Sequence, residues 1–296
     1  MLDGVLVIDK PAGLTSHQVV AEVSRRLGRA KTGHAGTLDP MATGVLVVLV
    51  GEATKIAAVL TADAKAYDGE LELGVETDTL DAEGTVVRER RDEAAAVDRA
   101  ALEGAMARLV GAGEQTPPMY SAIKQGGRRL HELARAGTEV ERAPRPITIG
   151  RFDLVGFDPP RAAFAVDCSK GTYVRSLVAD LGRALGCGAH LTRLRRTRSG
   201  SFEIARALPL AEVDPASAGA RLVPLAEAVS HLPTAEVPAD HERAVLTGKP
   251  LKWSDFSPSE APPGVVALVA GGALLALAEV EPETGRVRYR RVFRAP

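Results

Sequence analysis

Apolar positions follow different rhythms along the chain. Val5 to Ile8 and Val45 to Val50 are unbroken apolar runs, which predict buried strands. Glu70 to Leu73 and Ala162 to Val166 read as further strands, and Val86-Val87 continues the strand-rich pattern. Val19, Val20, Val23 and Leu27 share one helical face; Thr15 or Ser16 can cap that helix and Gly28 stands where it should end. Glu93 to Val110 predicts a single amphipathic helix. Ser176 to Leu185 predicts another, with Leu177, Val178, Leu181 and Leu185 on one face. Leu208 to Val229 predicts helical segments broken by Pro215 and Pro224. His231 to Pro238 reads as a linker, followed by a short helix near Asp240 to Leu246 and a strand-rich tail. In that tail Gly271-Gly272 folds the run from Val265 to Ala278 into two strands. Strands and helices interleave without a βαβ rhythm, which predicts an α+β domain with a mixed sheet plus a small β-rich C-terminal domain.

Composition narrows the class. A chain of 296 residues that is 45% apolar can bury a core, which excludes disorder and fits one large or two smaller domains. Two cysteines, Cys168 and Cys187, cannot staple such a chain and form no Cys-x-x-Cys pair, so they read as buried free thiols in a reducing cytosol. Met1-Leu2-Asp3-Gly4 lacks the basic and apolar regions of a secretory signal, and the run from Val265 to Ala278 is too short to span a bilayer. A cytoplasmic protein without a membrane partner is expected.

Charge first argues against a nucleic-acid partner: 37 basic and 38 acidic residues leave a net charge of -1. Placement reverses that reading. Arg193, Arg195, Arg196 and Arg198 form one cluster, and Arg286, Arg288, Arg290, Arg291 and Arg294 form a second. Period-2 spacing at 286, 288 and 290 predicts three on one strand face. Acidic residues concentrate elsewhere, between Asp68 and Asp92. Two arginine clusters in a neutral chain predict a polyanionic partner.

The standard catalytic signatures fail: there is no phosphate-binding loop, dinucleotide fingerprint, nucleophile elbow or zinc-protease helix. Nothing in the sequence requires a cofactor or metal. Asp78, Asp81 and Glu83 lack calcium-loop spacing and read as a solvated acidic turn. One glycine-rich loop, Lys31 to Gly44, presents Asp39 immediately before Pro40. Proline pushes Asp39 out of the helical region, so its carboxylate has a restricted presentation suited to a nucleophile or base. Asp-Pro is also an ordinary turn dipeptide. A second segment, Cys168 to Arg175, puts Arg175 at a helix start, where it is slightly unfavourable with the dipole and invites a carboxylate partner.

Taken together, these segments resemble the TruB family of bacterial tRNA pseudouridine synthases. The resemblance rests on Gly4-Val5-Leu6-Val7-Ile8-Asp9-Lys10-Pro11, Gly33-His34-x-Gly36-Thr37-Leu38-Asp39-Pro40-x-Ala42-Thr43-Gly44 and Gly51-Glu52-Ala53-Thr54-Lys55. It continues through Lys65-x-Tyr67, Thr77-Asp78-Thr79-x-Asp81-Ala82-x-Gly84, Pro117 to Ala122, and Cys168-Ser169-Lys170-Gly171-Thr172-Tyr173-x-Arg175.

The resemblance implies a pseudouridine synthase fold with a mainly antiparallel sheet over residues 1–230, an RNA-binding thumb loop near 124–146, and a PUA-like domain over 231–296. It implies isomerisation of uridine 55 in the TΨC arm of tRNA; nothing in the sequence demands a cofactor or more than a monomer. Asp39 takes the place of the essential aspartate, Tyr67 that of the tyrosine stacking on the target base, and Arg175 that of the arginine paired with the aspartate. His34 takes the place of the histidine that fills the space left by the flipped nucleotide, and Leu194 that of an apolar pocket residue. Lys10 corresponds to a lysine near the cleft, and Tyr173, Arg195, Arg196 and Lys124 are expected RNA or substrate contacts. The residues leave open a non-catalytic RNA-binding module or tRNA-folding chaperone. A carboxylate hydrolase would need a second carboxylate with acid duty near Asp39.

Overall fold

The computed structural model describes residues 2–61, 64–121, 123–138, 140–256 and 260–294. The first apolar run lies in β1 (Gly4–Lys10), followed by α1 (Ser16–Arg26), β2 (Thr32–His34) and β3 (Thr43–Val50). Thr15 caps α1 in a reciprocal box with Gln18, and Gly28 adopts φ 67° just beyond the helix end. After α2 (Ala57–Thr61) come β4 (Lys65–Leu73) and the hairpin of β5 (Val75–Thr77) and β6 (Val86–Glu89).

The stretch expected as one helix is two, α3 (Arg91–Ala95) and α4 (Arg99–Arg108), leading to β7 (Gly111–Gln115). Asp98 interrupts it by accepting the Ala101 N–H at 2.8 Å, so an interior-looking aspartate is an N-cap. A small hairpin, β8 (Lys124–Gln125) and β9 (Arg128–Arg129), turns on Gly126 and Gly127 at φ 58° and 83° and runs into α5 (Leu130–Arg135). Then follow β10 (Arg145–Asp158), β11 (Arg161–Cys168), α6 (Val174–Leu185), β12 (Ala189–Ser199), β13 (Phe202–Glu203) and β14 (Leu208–Pro209). Pro215 and Pro224 open helices rather than interrupt them: Pro215 begins α7 (Pro215–Arg221), capped by Asp214, and Pro224 precedes α8 (Leu225–Ala228).

These strands form one mixed, mainly antiparallel sheet in the order β14-β1-β3-β12-β4-β11-β10-β7, with β2 beside β3 and β13 beside β12. The contact between β3 and β12 is parallel and short, pairing Arg195 with Thr43 and Arg196 with Gly44. It sets the start of β3, and hence the end of the glycine-rich loop, against the arginines of β12.

Alternation decides what each face of β1 and β3 meets. Leu6, Ile8, Leu46, Val48 and Val50 pack with Val19, Val20 and Val23 of α1, in a core that also takes α4 and α6. Val5, Val7, Val45, Val47 and Leu49 face the opposite way, onto Ile56, Leu60 and Phe202.

The expected linker at 231–238 contains a strand, β15 (Thr234–Glu236), paired in parallel with β16 (Val265–Ala270). With α9 (Ala239–Leu246), β17 (Ala273–Val280) and β18 (Val287–Val292), it builds a four-stranded sheet. One side of this tail sheet packs on Trp253 and Val245. Its Ala267, Leu274 and Leu277, with Phe293, join the cluster that covers the second face of β1 and β3. Cys168 and Cys187 are both buried free thiols, and burial pushes the Cys168 thiol up to about 11. Among the described residues, no helix is long and apolar enough to cross a membrane, and no His, Cys, Asp and Glu group could hold a metal.

Candidate active site

Asp39 opens a tight turn in the loop between β2 and β3. The Ala42 N–H donates to the Asp39 carbonyl at 3.1 Å, with Pro40 at the second turn position, where its fixed φ is already correct. The turn therefore fixes the backbone from which the Asp39 carboxylate projects.

Two buried cations hold the loop around that turn. Lys10, at the end of β1, is fully buried, and its ammonium donates to the carbonyls of Pro11 (2.8 Å), Pro40 (3.1 Å) and Ala42 (2.7 Å). Arg196 of β12 is 1% exposed and donates to the carbonyls of Val45 (2.7 Å), Thr37 (3.3 Å) and Gly36 (3.1 Å). Ser16 adds a donor and an acceptor to the Leu38 backbone. Gly44 sits at φ 96°, and a Cβ there would lie 2.2 Å from the Arg196 carbonyl oxygen, so only glycine fits. Burial draws the Lys10 ammonium down to about 8, a shift opposed by Asp39 and Glu83.

Arg175, near the start of α6, meets Asp39 with a two-pronged contact: Nε to Oδ2 at 2.8 Å and Nη2 to Oδ1 at 3.2 Å. The Arg175 side chain is 4% exposed, while that of Asp39 keeps 34% of its surface open. The remaining donors of the guanidinium are also committed. Nη1 reaches the Thr79 carbonyl at 2.8 Å and Asp81 Oδ2 at 3.4 Å, and Nη2 reaches the Tyr120 carbonyl at 2.9 Å. A planar fork engaged on every side cannot rotate, so it fixes the carboxylate it holds.

Asp81 corrects the reading of its segment as a solvated acidic turn. It is 4% exposed; its Oδ1 accepts from Thr79 Oγ1 at 2.6 Å and from the Glu83 N–H at 3.1 Å. The spacing Thr79-x-Asp81 was the available signal. Its burial depends on α6 arriving from about a hundred residues later in the chain. Asp81 is also the second carboxylate that a hydrolase would need, but it is enclosed beside Arg175 and bound to it.

Tyr67 stands on β4 beside Arg196 in register, 8% exposed. Burial raises its phenol above the ordinary tyrosine range, while a hydrogen bond and the charge of Arg196 oppose the shift. Leu194, Leu38 and Ala42 belong to the same apolar cluster as Tyr67. His34, half-buried at the end of β2, has a buried Nδ1 without a hydrogen-bond partner. Burial, then the charges of Arg196 and His17, hold its imidazole below the ordinary histidine range. Tyr173 is the N-cap residue of α6 and is half-buried, and burial raises its phenol above the ordinary tyrosine range.

The arginine cluster on β12 is not a free cationic face. Arg196 points inward, so its guanidinium holds backbone carbonyls instead of phosphates. Arg195 pairs with Asp9 at 2.8 Å, Arg193 with Glu70 at 3.0 Å and Arg198 with Asp167 at 3.5 Å. Lys10 likewise serves the loop and offers no surface to RNA. Lys124 lies on β8 opposite Arg129; its side chain, and the whole of Ala122, lie outside the described residues. In the tail the expected one-face array is altered. Arg286 precedes β18, and a bulge between Tyr289 and Arg291 leaves Arg288, Arg290 and Arg291 all exposed. Arg290 pairs with Glu279 at 2.6 Å.

Comparison with known proteins places this site in a family. A model described as TruB family pseudouridylate synthase, N-terminal domain, matches residues 24–174. A model described as tRNA pseudouridylate synthase B C-terminal domain matches residues 175–229. The chain is 46% identical to a tRNA pseudouridine synthase B of Aromatoleum aromaticum, covering 95% of this chain and 90% of that one. It is also 46% identical to a tRNA pseudouridine synthase B of Syntrophobacter fumaroxidans, covering 98% and 97%. Among solved structures, it superposes on a chain of a Cbf5-Nop10-Gar1 complex with TM-score 0.77 and 27% identity, over 98% of this chain and 85% of that one. A chain of an H/ACA RNP bound to a substrate RNA containing 2'-deoxyuridine matches with TM-score 0.75 and 25% identity, over 99% and 85%. With its sheet, its loop and its matched length, the chain belongs to the TruB family of pseudouridylate synthases.

Proposed function

We propose that this chain isomerises uridine 55 in the TΨC arm of tRNA to pseudouridine, with Asp39 as the essential carboxylate. The observation that carries the proposal is the two-pronged grip of buried Arg175 on a part-exposed Asp39, in a chain of this family. The reaction breaks the N1–C1′ bond, turns the uracil and forms C5–C1′; C5 loses a proton and N1 gains one. It is an isomerisation with no net redox change.

The target base must leave its stack, at a cost of a few kcal/mol. Stacking on Tyr67 returns roughly 1–3 kcal/mol. Leu194 lines the same pocket, and His34 occupies the space that the base vacates. Arg175 offsets the desolvation of an ionised Asp39 and keeps it aimed. Tyr173 borders the site, and the thumb near 124–146, with Lys124, reaches the RNA. Residues 1–230 form the catalytic part, and the tail from 231 is a PUA-like unit that offers its exposed arginines to phosphate. Arg195 has nearly half of its side-chain surface open and can exchange Asp9 for a phosphate. The chain works in the cytoplasm as a monomer.

Tritium release from tRNA carrying 5-tritiated uridine tests this directly. Asp39→Asn should abolish release while tRNA binding stays within about tenfold, or about 1.4 kcal/mol. Near-wild-type release by that variant would remove Asp39 from the chemistry. Binding without release by the wild-type chain would favour an RNA-binding or tRNA-folding role.

A further inference from the structure

We infer that Gln115 is a positioning residue for Arg175, an inference that rests on the proposed isomerisation. Gln115 ends β7, opposite Arg145 of β10, and is only 4% exposed. Its side-chain amide reads both main-chain groups of Tyr173: Nε2 donates to the Tyr173 carbonyl at 3.1 Å, and Oε1 accepts from the Tyr173 N–H at 2.8 Å. Only one orientation of a carboxamide satisfies both bonds, so the contact is specific for an amide.

The place of this contact gives it consequence. Tyr173 is the N-cap of α6 and has no side-chain cap of its own. Gln115 takes up the N-cap residue's own N–H from outside the helix, and Arg175 follows two residues later. The segment leaving Gln115 then returns to the same helix. The Tyr120 carbonyl accepts from Arg175 Nη2 at 2.9 Å. The amide of Gln115 therefore anchors the base of the thumb to the helix that carries the guanidinium. Loss of the anchor lets the Tyr120 carbonyl and Arg175 drift apart, and the aim of Asp39 loosens with them.

Gln115→Leu keeps the volume and removes both bonds. It should lower kcat about tenfold, since small misplacements are amplified in the reaction geometry. KM for tRNA should stay within about twofold, because no RNA contact is removed. Gln115→Glu supplies a second readout that survives poor folding of the first variant. Its introduced carboxyl, when protonated, can both donate and accept as the amide does; when ionised it can only accept. Arg145 faces position 115 across the β7–β10 pair, and Arg175 lies two residues beyond the Tyr173 that the side chain holds. Burial favours the neutral carboxyl and the arginines oppose it, so the kcat of Gln115→Glu relative to wild type should rise as pH falls from about 8 to about 5. A wild-type kcat in Gln115→Leu, or a pH-independent ratio in Gln115→Glu, overturns the positioning role. Absence of release by the wild-type chain would overturn the proposed function, and this inference with it.

Discussion

Asp39 takes its first orientation from its neighbour in sequence, because Pro40 closes the turn whose first residue is Asp39. Arg175 then holds the carboxylate, and both residues were readable from motif spacing. Asp81 was not. A carboxylate in a polar stretch reads as surface, and only the arrival of α6 gives it a buried cation. Lys10 shows the same limit, since its burial beneath the loop is invisible in a strand ending Ile8-Asp9-Lys10.

The depressed ammonium of Lys10 has two opposite consequences. Between about pH 8 and 10.5 the unfolded chain holds its proton more tightly than the folded one, so this group's contribution to stability rises with pH. Over the same range the ammonium becomes an amine with fewer hydrogens for the Pro11, Pro40 and Ala42 carbonyls, and the positive charge near Asp39 disappears. The single-turnover rate should therefore fall above about pH 8 while the urea midpoint does not fall with it. In Lys10→Met the rate should be lower throughout and the alkaline step absent; persistence of that step would assign it to another group.

At the scale of elements, β12 shows how a period-2 pattern can be correct and still mislead. Leu194 and Arg196 alternate inward, while Arg193 and Arg195 face out. Apolar side chains mark a buried face in a sequence, and an arginine there passes for a surface residue. Here the long reach and planar donors of Arg196 suit a loop whose Gly36 and Thr37 carbonyls point inward beside that of Val45. Arg196→Met should cost about 3 kcal/mol or more in urea unfolding, because buried carbonyls lose charge-assisted bonds. It should leave the salt dependence of RNA binding unchanged, since no phosphate contact is lost. A flattened salt slope with unchanged stability would return Arg196 to the RNA-binding surface.

For the whole molecule, the tail is part of the core. Ala267, Leu274, Leu277 and Phe293 share a cluster with Val5, Val7, Val45, Val47 and Leu49, the outer face of the strands that frame the Asp39 loop. Lys55 donates to the Val292 carbonyl at 2.9 Å, and Glu52 accepts the Arg294 N–H at 3.1 Å, fastening the end of the tail to the same region. Ending the chain at 230 should cost on the order of 5 kcal/mol, from apolar burial of these side chains. That loss corresponds to more than about 10 °C in Tm. An unchanged Tm would make the tail a detachable unit.

Neighbouring residues alone were enough to read the local elements: the β1 and β3 runs, the capped α1, the Gly271-Gly272 hairpin, the Asp39-Pro40 turn and the spacing of the motifs. Each depends on residues within a few positions of one another, where backbone sterics and periodicity act directly. Tertiary structure decided which charges are used inside. It buried Lys10, Asp81 and Arg196, paired most of the β12 arginines, and laid the tail sheet against the outer face of β1 and β3. Whether a charged side chain meets water, a carbonyl or an opposite charge is set by segments far away in the chain, and no local pattern carries that information.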